Sequence, residues 1–169
     1  MANIKVENTH FMNFKDQVTG VSTGRNFAGD PSKSRFKAKD RWCYIEVPEE
    51  VGLYLDKMNC WVGKLDPKPG EEQGNKSTYY TQIFINFDSA YPPSINLFCD
   101  GNITALDENS IAVLDKINVK SVDCTISPWT NPNTGKTKAY CNVMWVMQDT
   151  AAGDPFKNKY QNMANSYGG

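Results

Sequence analysis

Arg25–Val47, RNFAGDPSKSRFKAKDRWCYIEV, is the stretch around which the rest of the chain is read. Its last seven residues alternate without a break, with Cys43, Ile45 and Val47 on one side and Trp42, Tyr44 and Glu46 on the other. Side chains of an extended chain point to opposite faces in turn, so this is the pattern of a half-buried strand. Ahead of it, Lys33, Arg35, Lys37, Lys39 and Arg41 occupy alternate positions, which puts all five on one side if the segment is extended. Phe27, Phe36 and Trp42 sit among them. Cations neutralise phosphates and rings stack on bases, so the mixture suits a surface facing a polyanionic strand without reading its sequence. The plainer reading of the run alone is a solvated loop whose charges maintain solubility.

Outward from this stretch the chain reads as short strands. Residues 3–14 form a first strand around Val6, Phe11, Met12 and Phe14, and 15–24 a polar connection. Pro48 can open a helix, Glu49 and Glu50 suit its positive end, and Val51, Leu53, Tyr54, Leu55 and Met58 give it an apolar side. Cys60–Leu65 is extended, 66–77 (DPKPGEEQGNKS) is an exposed loop, and Thr78–Phe87 is a long central strand. Tyr91-Pro92-Pro93 interrupts before a short strand at Ser94–Cys99. Thr104 and Asp107 are spaced as a capping pair, and Leu106, Ile111, Val113, Leu114 and Ile117 predict a second helix behind them. Val119–Ser127 and Lys138–Met147 form a hairpin joined by PWTNPNTGK. On its second strand Lys138, Tyr140, Asn142 and Met144 share one face, and Ala139, Cys141, Val143, Trp145 and Met147 the other, which assigns Trp145 to the core.

The 169 residues suit one domain, here 1–155, followed by a flexible polar tail at 156–169 where Asn, Gly and Ser outnumber aliphatic residues. The net charge of −1 hides an asymmetry: residues 1–42 carry eight Lys and Arg against four acids, the remainder ten against fifteen. A basic half suggests one face meant for a polyanion. The N-terminal residues hold no apolar run of signal-peptide length and nothing approaches transmembrane length, so a cytoplasmic protein without membrane contact is expected. Cys43, Cys60, Cys99, Cys124 and Cys141 are odd in number and contain no CxxC pair, so they read as reduced core thiols.

Catalytic machinery is hard to assemble. His10 is the sole histidine, no GxxxxGK[ST] loop occurs, and the acids are scattered. No enzymatic activity, metal or cofactor is expected, and a nuclease would need carboxylates from separate strands to converge.

Many short strands, two helices between them and exposed rings and cations fit a mainly β chain: a single-domain, five-stranded OB-like barrel elaborated with two short helices and long loops. Tyr44, Trp61, Tyr80 and Trp129 join Phe27 and Trp42 as candidate stacking rings. The ordered run RNFAG, CWVGKLDPKPGE, TALDENSIAVLDK, VDCTISPW and GKTKAYCNVMWV, spread over 24–160, resembles small bacteriophage-type single-stranded DNA-binding proteins with an OB fold. The resemblance implies a replication or recombination accessory protein of the infected host's cytoplasm. It would bind single-stranded DNA (RNA being the variant), as a monomer or dimer, with phage or host replication proteins as further partners. On that pattern Phe27, the cations from Lys33 to Arg41, Trp42, Lys64, Lys136, Lys138 and Tyr140 line the groove. Such proteins often end in an acidic tail; Asn165–Gly169 carries no acid, which argues against partner recruitment through it. The competing reading is a structural or assembly protein of a viral particle built on a β-barrel or sandwich.

Overall fold

The computed structural model describes residues 3–14, 24–33, 39–67 and 77–150, together with Phe156, Tyr160 and Met163. Arg35, Phe36 and Lys37, most of the loop expected at 66–77, and the expected boundary at 155 with most of the tail lie outside the described residues. The chain is mainly β, with one sheet of nine strands. In chain order these are β1 (Ile4–Thr9), β2 (Arg25–Asn26), β3 (Arg41–Val47), β4 (Val62–Leu65), β5 (Thr78–Ile85), β6 (Ser94–Cys99), β7 (Asn102–Leu106), β8 (Val119–Thr130) and β9 (Thr137–Gln148). An α-helix, α1 (Glu49–Lys57), and short 3-10 turns at Pro31–Lys33 and Ile111–Asp115 lie between the strands, and Tyr160 and Met163 are helical as well.

The main ladder runs β1-β8-β9-β5-β3-β2, with β4 on β5 and the β6–β7 hairpin on β9. Neighbours are antiparallel except at β5–β9 and β6–β9, which are parallel. The named strands leave the ladder open, but its ends approach. Asn8 (φ 53) donates its N–H to Asp123 Oδ1 at 2.7 Å, and the β1 register shifts there. Past that bend the chain reaches β3, where Phe11 bridges Ile45, Met12 N–H donates to Tyr44 O at 2.8 Å and Glu46 N–H to His10 O at 3.2 Å.

The alternation read in β3 holds: Cys43, Ile45 and Val47 are buried, and they meet Ile83, Thr81 and Tyr79 across β5. The core under the sheet is completed by Phe11, Phe27, Leu55, Ile95, Ile111, Leu114, Ile126, Met144 and Val146. Four of the five cysteines are buried and all five are free thiols; Cys99 is half-buried.

Helix α1 starts after Pro48 and ends in a left-handed Asn59 (φ 66). Cys60 N–H donates to Leu55 O and Asn59 N–H to Asp56 O, at 2.9 and 3.0 Å, a Schellman end whose buried Leu55 and Cys60 seal the last turn. The apolar side is narrower than expected, since Leu53 and Tyr54 are exposed.

Two expectations fail for local reasons. The second helix does not start at Thr104. Asp100 (φ 49) and Gly101 (φ 82) make a two-residue turn of type I′ dihedrals, which sends Asn102–Leu106 back along β6 as β7. The capping chemistry sits one step later: Asp107 Oδ1 accepts the N–H groups of Asn109 and Ser110 at 2.9 and 3.0 Å while Ser110 Oγ accepts that of Asp107 at 2.9 Å. It opens the 3-10 turn, whose three-residue period buries Ile111 and Leu114 together. Trp145 is likewise not core but 40% exposed, with Val143 and Met147 beside it outside. Ile126 faces Cys141 and Thr125 faces Val143, so Asn142 is a bulge residue, and the extra residue inverts the alternation that follows. Ala139 and Cys141 point inward before it, Met144 and Val146 after it.

Candidate nucleic-acid interface

The face of β3 opposite the core carries Trp42 and Tyr44, and cross-strand register fixes what lies next to them. Trp42 pairs with Phe84 and Glu46 with Tyr80 on β5, and Phe84 pairs in turn with Tyr140 on β9. Residues directly opposite on one face are in contact range. The rings therefore form two joined groups. In the first, Tyr44 lies edge-on to Trp42, Trp61 and Phe14, with centroids 5.4, 5.7 and 5.4 Å away, and Tyr80 packs 5.5 Å from Trp61. In the second, Tyr140 lies 6.1 Å from Phe84 and 6.2 Å from Trp129. Gly63 on β4 admits this arrangement: a Cβ there would come within 2.2 Å of the Tyr80 ring that crosses it.

Three surface grooves share walls along Trp61, Phe84, Tyr140 and Trp129, while Tyr44 and Tyr80 line none of the three. One of about 660 Å³ is bounded by Trp61, Phe84, Lys136 and Lys138. The next, about 380 Å³, shares Phe84 and Lys138 with it and adds Lys39, Arg41 and Tyr140. The third, about 420 Å³, shares Asn86 and Tyr140 with the second and ends at Trp129 and Tyr91. The cations are uneven along this path. Lys136 and Lys138 are exposed, and Lys138 Nζ sits 4.6 Å from the Phe84 centroid, where the ring face attracts it. In the middle groove Asp40, Asp88 and Glu108 face Lys39, Arg41 and Lys138, so that section is close to neutral. Burial, with Tyr80 beside it, raises the Tyr44 phenol above its ordinary range, and burial with Asp40 nearby raises that of Tyr140, so both keep their protons at neutral pH as hydrogen-bond donors.

The candidate residues divide accordingly. Tyr44, Trp61, Tyr80, Trp129, Lys136, Lys138 and Tyr140 come together on this face, with Lys39 and Arg41 at its side. Lys64 is exposed and lies 3.5 Å from Asp66. Trp42 belongs to the ring row but is only 6% exposed, so it supports Tyr44 rather than offering a free face. Phe27 is a correction: it is 0% exposed, edge-on to Phe11 at 5.5 Å, and no base can reach it. Of the five alternating cations Arg35 and Lys37 lie outside the described residues, Lys33 ends a 3-10 turn, and Arg41 donates to Phe27 O at 2.7 Å with its guanidinium over Phe87. Buried Asn26 ties Asp30 to Asp40, its Nδ2 donating to their carbonyls at 3.0 and 3.2 Å. That clasp sets Lys39 beside Lys138.

Phe84 and Tyr91 also line these grooves: Phe84 shares its alternating face with Tyr80 and Gln82, a signal the sequence carries, whereas Tyr91, 91% exposed, is marked in the sequence only by the two prolines after it. Among the described residues no group of three or more His, Cys, Asp and Glu could hold a metal ion, and no helix is long and apolar enough to cross a membrane. No protein-family model, curated protein or solved structure matches the chain.

Proposed function

We propose that the protein is a non-enzymatic binder of single-stranded nucleic acid, DNA foremost, which holds the strand by base stacking and phosphate neutralisation. The observation that carries this is the ring row of Trp61 and strands β3, β5, β9 and β8 with its three wall-sharing grooves and exposed lysines at Lys136, Lys138 and Lys39. Every base offers a face to stack on, and the backbone offers a charge at each step, so such a surface needs no base-specific contact to bind. Trp61 and Trp129 are the stacking rings at the two ends, Tyr44, Tyr80, Phe84 and Tyr140 the platform between, and Lys39, Lys64, Lys136 and Lys138 the phosphate partners.

The proposal extends to the fold. Counting the Phe11–Ile45 bridge, β1, β3, β5, β9 and β8 follow one another in a ring, with only the β5–β9 contact parallel. A five-stranded, partly open Greek-key barrel of the OB type would pair that way, and strands β3 and β5 would carry its binding face. The likeness to phage-type single-strand binders supports a role in replication or recombination in a host cytoplasm. A second reading, a structural or assembly protein, draws on the separate exposed apolar face at Val143, Trp145 and Met147.

Titrating salt against binding to a fluorescent oligothymidine tests the first reading. Affinity falls steeply as salt rises, and no binding at low salt overturns the proposal. Size-exclusion chromatography without oligonucleotide tests the second, which requires large assemblies.

A further inference from the structure

Past Asn142 the outward side of β9 is apolar, with Val143, Trp145 and Met147 exposed on it. Strand pairing extends this surface: Phe98 of β6 lies opposite Met147, and the exposed Ile103 of β7 lies opposite Phe98. On the other side of Trp145 a groove of about 420 Å³ is lined by Val143, Thr125, Lys5 and Glu7 among others. The charges around this face are mostly acidic. Lys5 is paired with Glu7, Asp123 lies opposite Trp145, and Asp100 and Asp149 follow the ends of β6 and β9, against Lys120 as the remaining cation of these strands.

A second apolar surface belongs to the C-terminal segment. Tyr160 N–H donates to Phe156 O at 3.2 Å, the i to i−4 bond of an α-helix, and Tyr160 and Met163 are helical. Phe156, Tyr160 and Met163 are exposed and stand four and three residues apart, so they fall on one stripe. At that period the sequence puts Tyr167 on the stripe, Lys157 and Lys159 on its two borders, and Asn158, Asn162 and Asn165 opposite. No acid follows Asp154, so the segment carries the sign opposite to that of the sheet face.

Charge and tether together select the occupant of that face. A second copy of the face, or a polyanionic strand, would bring like charge to Asp123, whereas Lys157 and Lys159 bring the complement. Thr150 is held at the end of β9 by a hydrogen bond of 3.2 Å from its Oγ1 to Asp100 Oδ1. From there the chain to Phe156 can span at most about 20 Å, and the way back along β9 to Trp145 is about 17 Å, so the segment reaches the face of its own chain. So short a connection gives an effective concentration on the order of millimolar, ahead of any second copy.

We infer that residues 156–167 dock in cis as an amphipathic helix on the outer face of β9 and β6. Phe156, Tyr160 and Met163 then lie against Val143, Trp145, Met147 and Phe98, with the two lysines toward Asp123. The segment covers the apolar half of the sheet and leaves the ring row open, independently of what the ring row binds. Hydrogen exchange of the full chain, read by mass spectrometry, tests this. A helix of about twelve residues is marginal in water by itself, so docking should slow the amides of 157–166 by about tenfold or more relative to an unstructured chain. The slowing should be unchanged on dilution, be lost in Trp145→Ser and in Met147→Ser, and persist in Trp129→Ala on the ring row. Phe156→Ser with Tyr160→Ser, which touches no strand of the sheet, should raise acrylamide quenching of tryptophan emission, and that rise should vanish in a Trp145→Phe background. Exchange at the unstructured rate overturns the docking, as do slowing that survives both β9 substitutions and quenching that the tail variant leaves unchanged. Slowing that fades on dilution overturns the arrangement in cis and places the segment on a second copy.

Discussion

Replacing Trp61 by alanine separates stacking from folding. The ring is 55% exposed and touches Tyr44 and Tyr80 edge-on at 5.7 and 5.5 Å. Edge-on ring pairs contribute about 0.5–1.5 kcal/mol each, so the substitution costs the free protein roughly 1–3 kcal/mol of stability, with no sealed cavity left behind. In the complex, one lost base stack is worth about 1–3 kcal/mol, which weakens binding roughly fivefold to more than a hundredfold. Trp129, 45% exposed, packs against Tyr140 at 6.2 Å and shares no ring partner with Trp61. The two losses should therefore add in the double variant to within about 0.5 kcal/mol. Neither substitution removes a charge, so the slope of log affinity against log salt stays as in the parent. Anisotropy with a labelled oligothymidine over a range of salt, on variants whose urea unfolding has been recorded, reads all of this. Folded Trp61→Ala that binds within twofold of the parent refutes the stacking role. So does a loss that disappears as salt rises, since that would make the effect electrostatic.

Three further outcomes follow from the same geometry. If Lys39, Lys64, Lys136 and Lys138 are the phosphate partners among the described residues, they contribute about −0.7 each to the salt slope, and Lys136→Ala with Lys138→Ala together flatten it by about 1.4; an unchanged slope places the strand elsewhere. Phe27→Ala removes a ring buried at 0% exposure and should lower the unfolding free energy by about 3–5 kcal/mol in urea, while the folded protein keeps its oligonucleotide affinity. Burial holds Cys43 and Cys141 well above the ordinary thiol range and pushes Cys124 to about 12. Above pH 9 the unfolded chain therefore loses thiol protons that the folded chain keeps, and stability falls as pH rises from there. Cys124 alone accounts for about 4 kcal/mol by pH 12, so Cys124→Ala should visibly shallow the alkaline limb of a stability-against-pH curve.

The parts of the fold that the sequence announces are those where local pattern and tertiary packing agree. Strand β3 alternates cleanly because one face is core and the other is the ring row, and the β8–β9 hairpin is marked by Asn131 and by Gly135, whose φ of 71 a side chain would oppose. The run 104–117 misleads because its apolar spacing suits a helix and a 3-10 turn alike, and the Asp100-Gly101 turn that decides the matter lies just upstream. Trp145 misleads for another reason: a bulge carries no composition of its own, and one inserted residue reverses every later assignment. In the candidate site, exposure separates residues of like chemistry. Trp42 and Phe27 lie in the same stretch as the cations, yet Trp42 sits between Asn26 and Phe84 in the ladder and Phe27 packs on Phe11, pairings across the chain that a single sequence does not display.

The bulge also explains why two exposed apolar surfaces on one strand need not serve one purpose. Up to Asn142, the outward residues of β9 are Lys138 and Tyr140, beside Phe84 and across from Trp129. Beyond it they are Val143, Trp145 and Met147, and Trp145 faces Asp123 on β8 and Asn96 on β6. The groove beside Trp145 holds Lys5, Glu7 and Asp123; Lys5 is paired with Glu7, so Asp123 sets the sign of what remains. A phosphate brought there meets a carboxylate without a compensating lysine, whereas at Lys136 and Lys138 it meets two cations against Asp56 alone. Rings of similar size thus sit in opposite fields on either side of one inserted residue. A polyanionic strand that stacks on this protein is held to the half of β9 before Asn142.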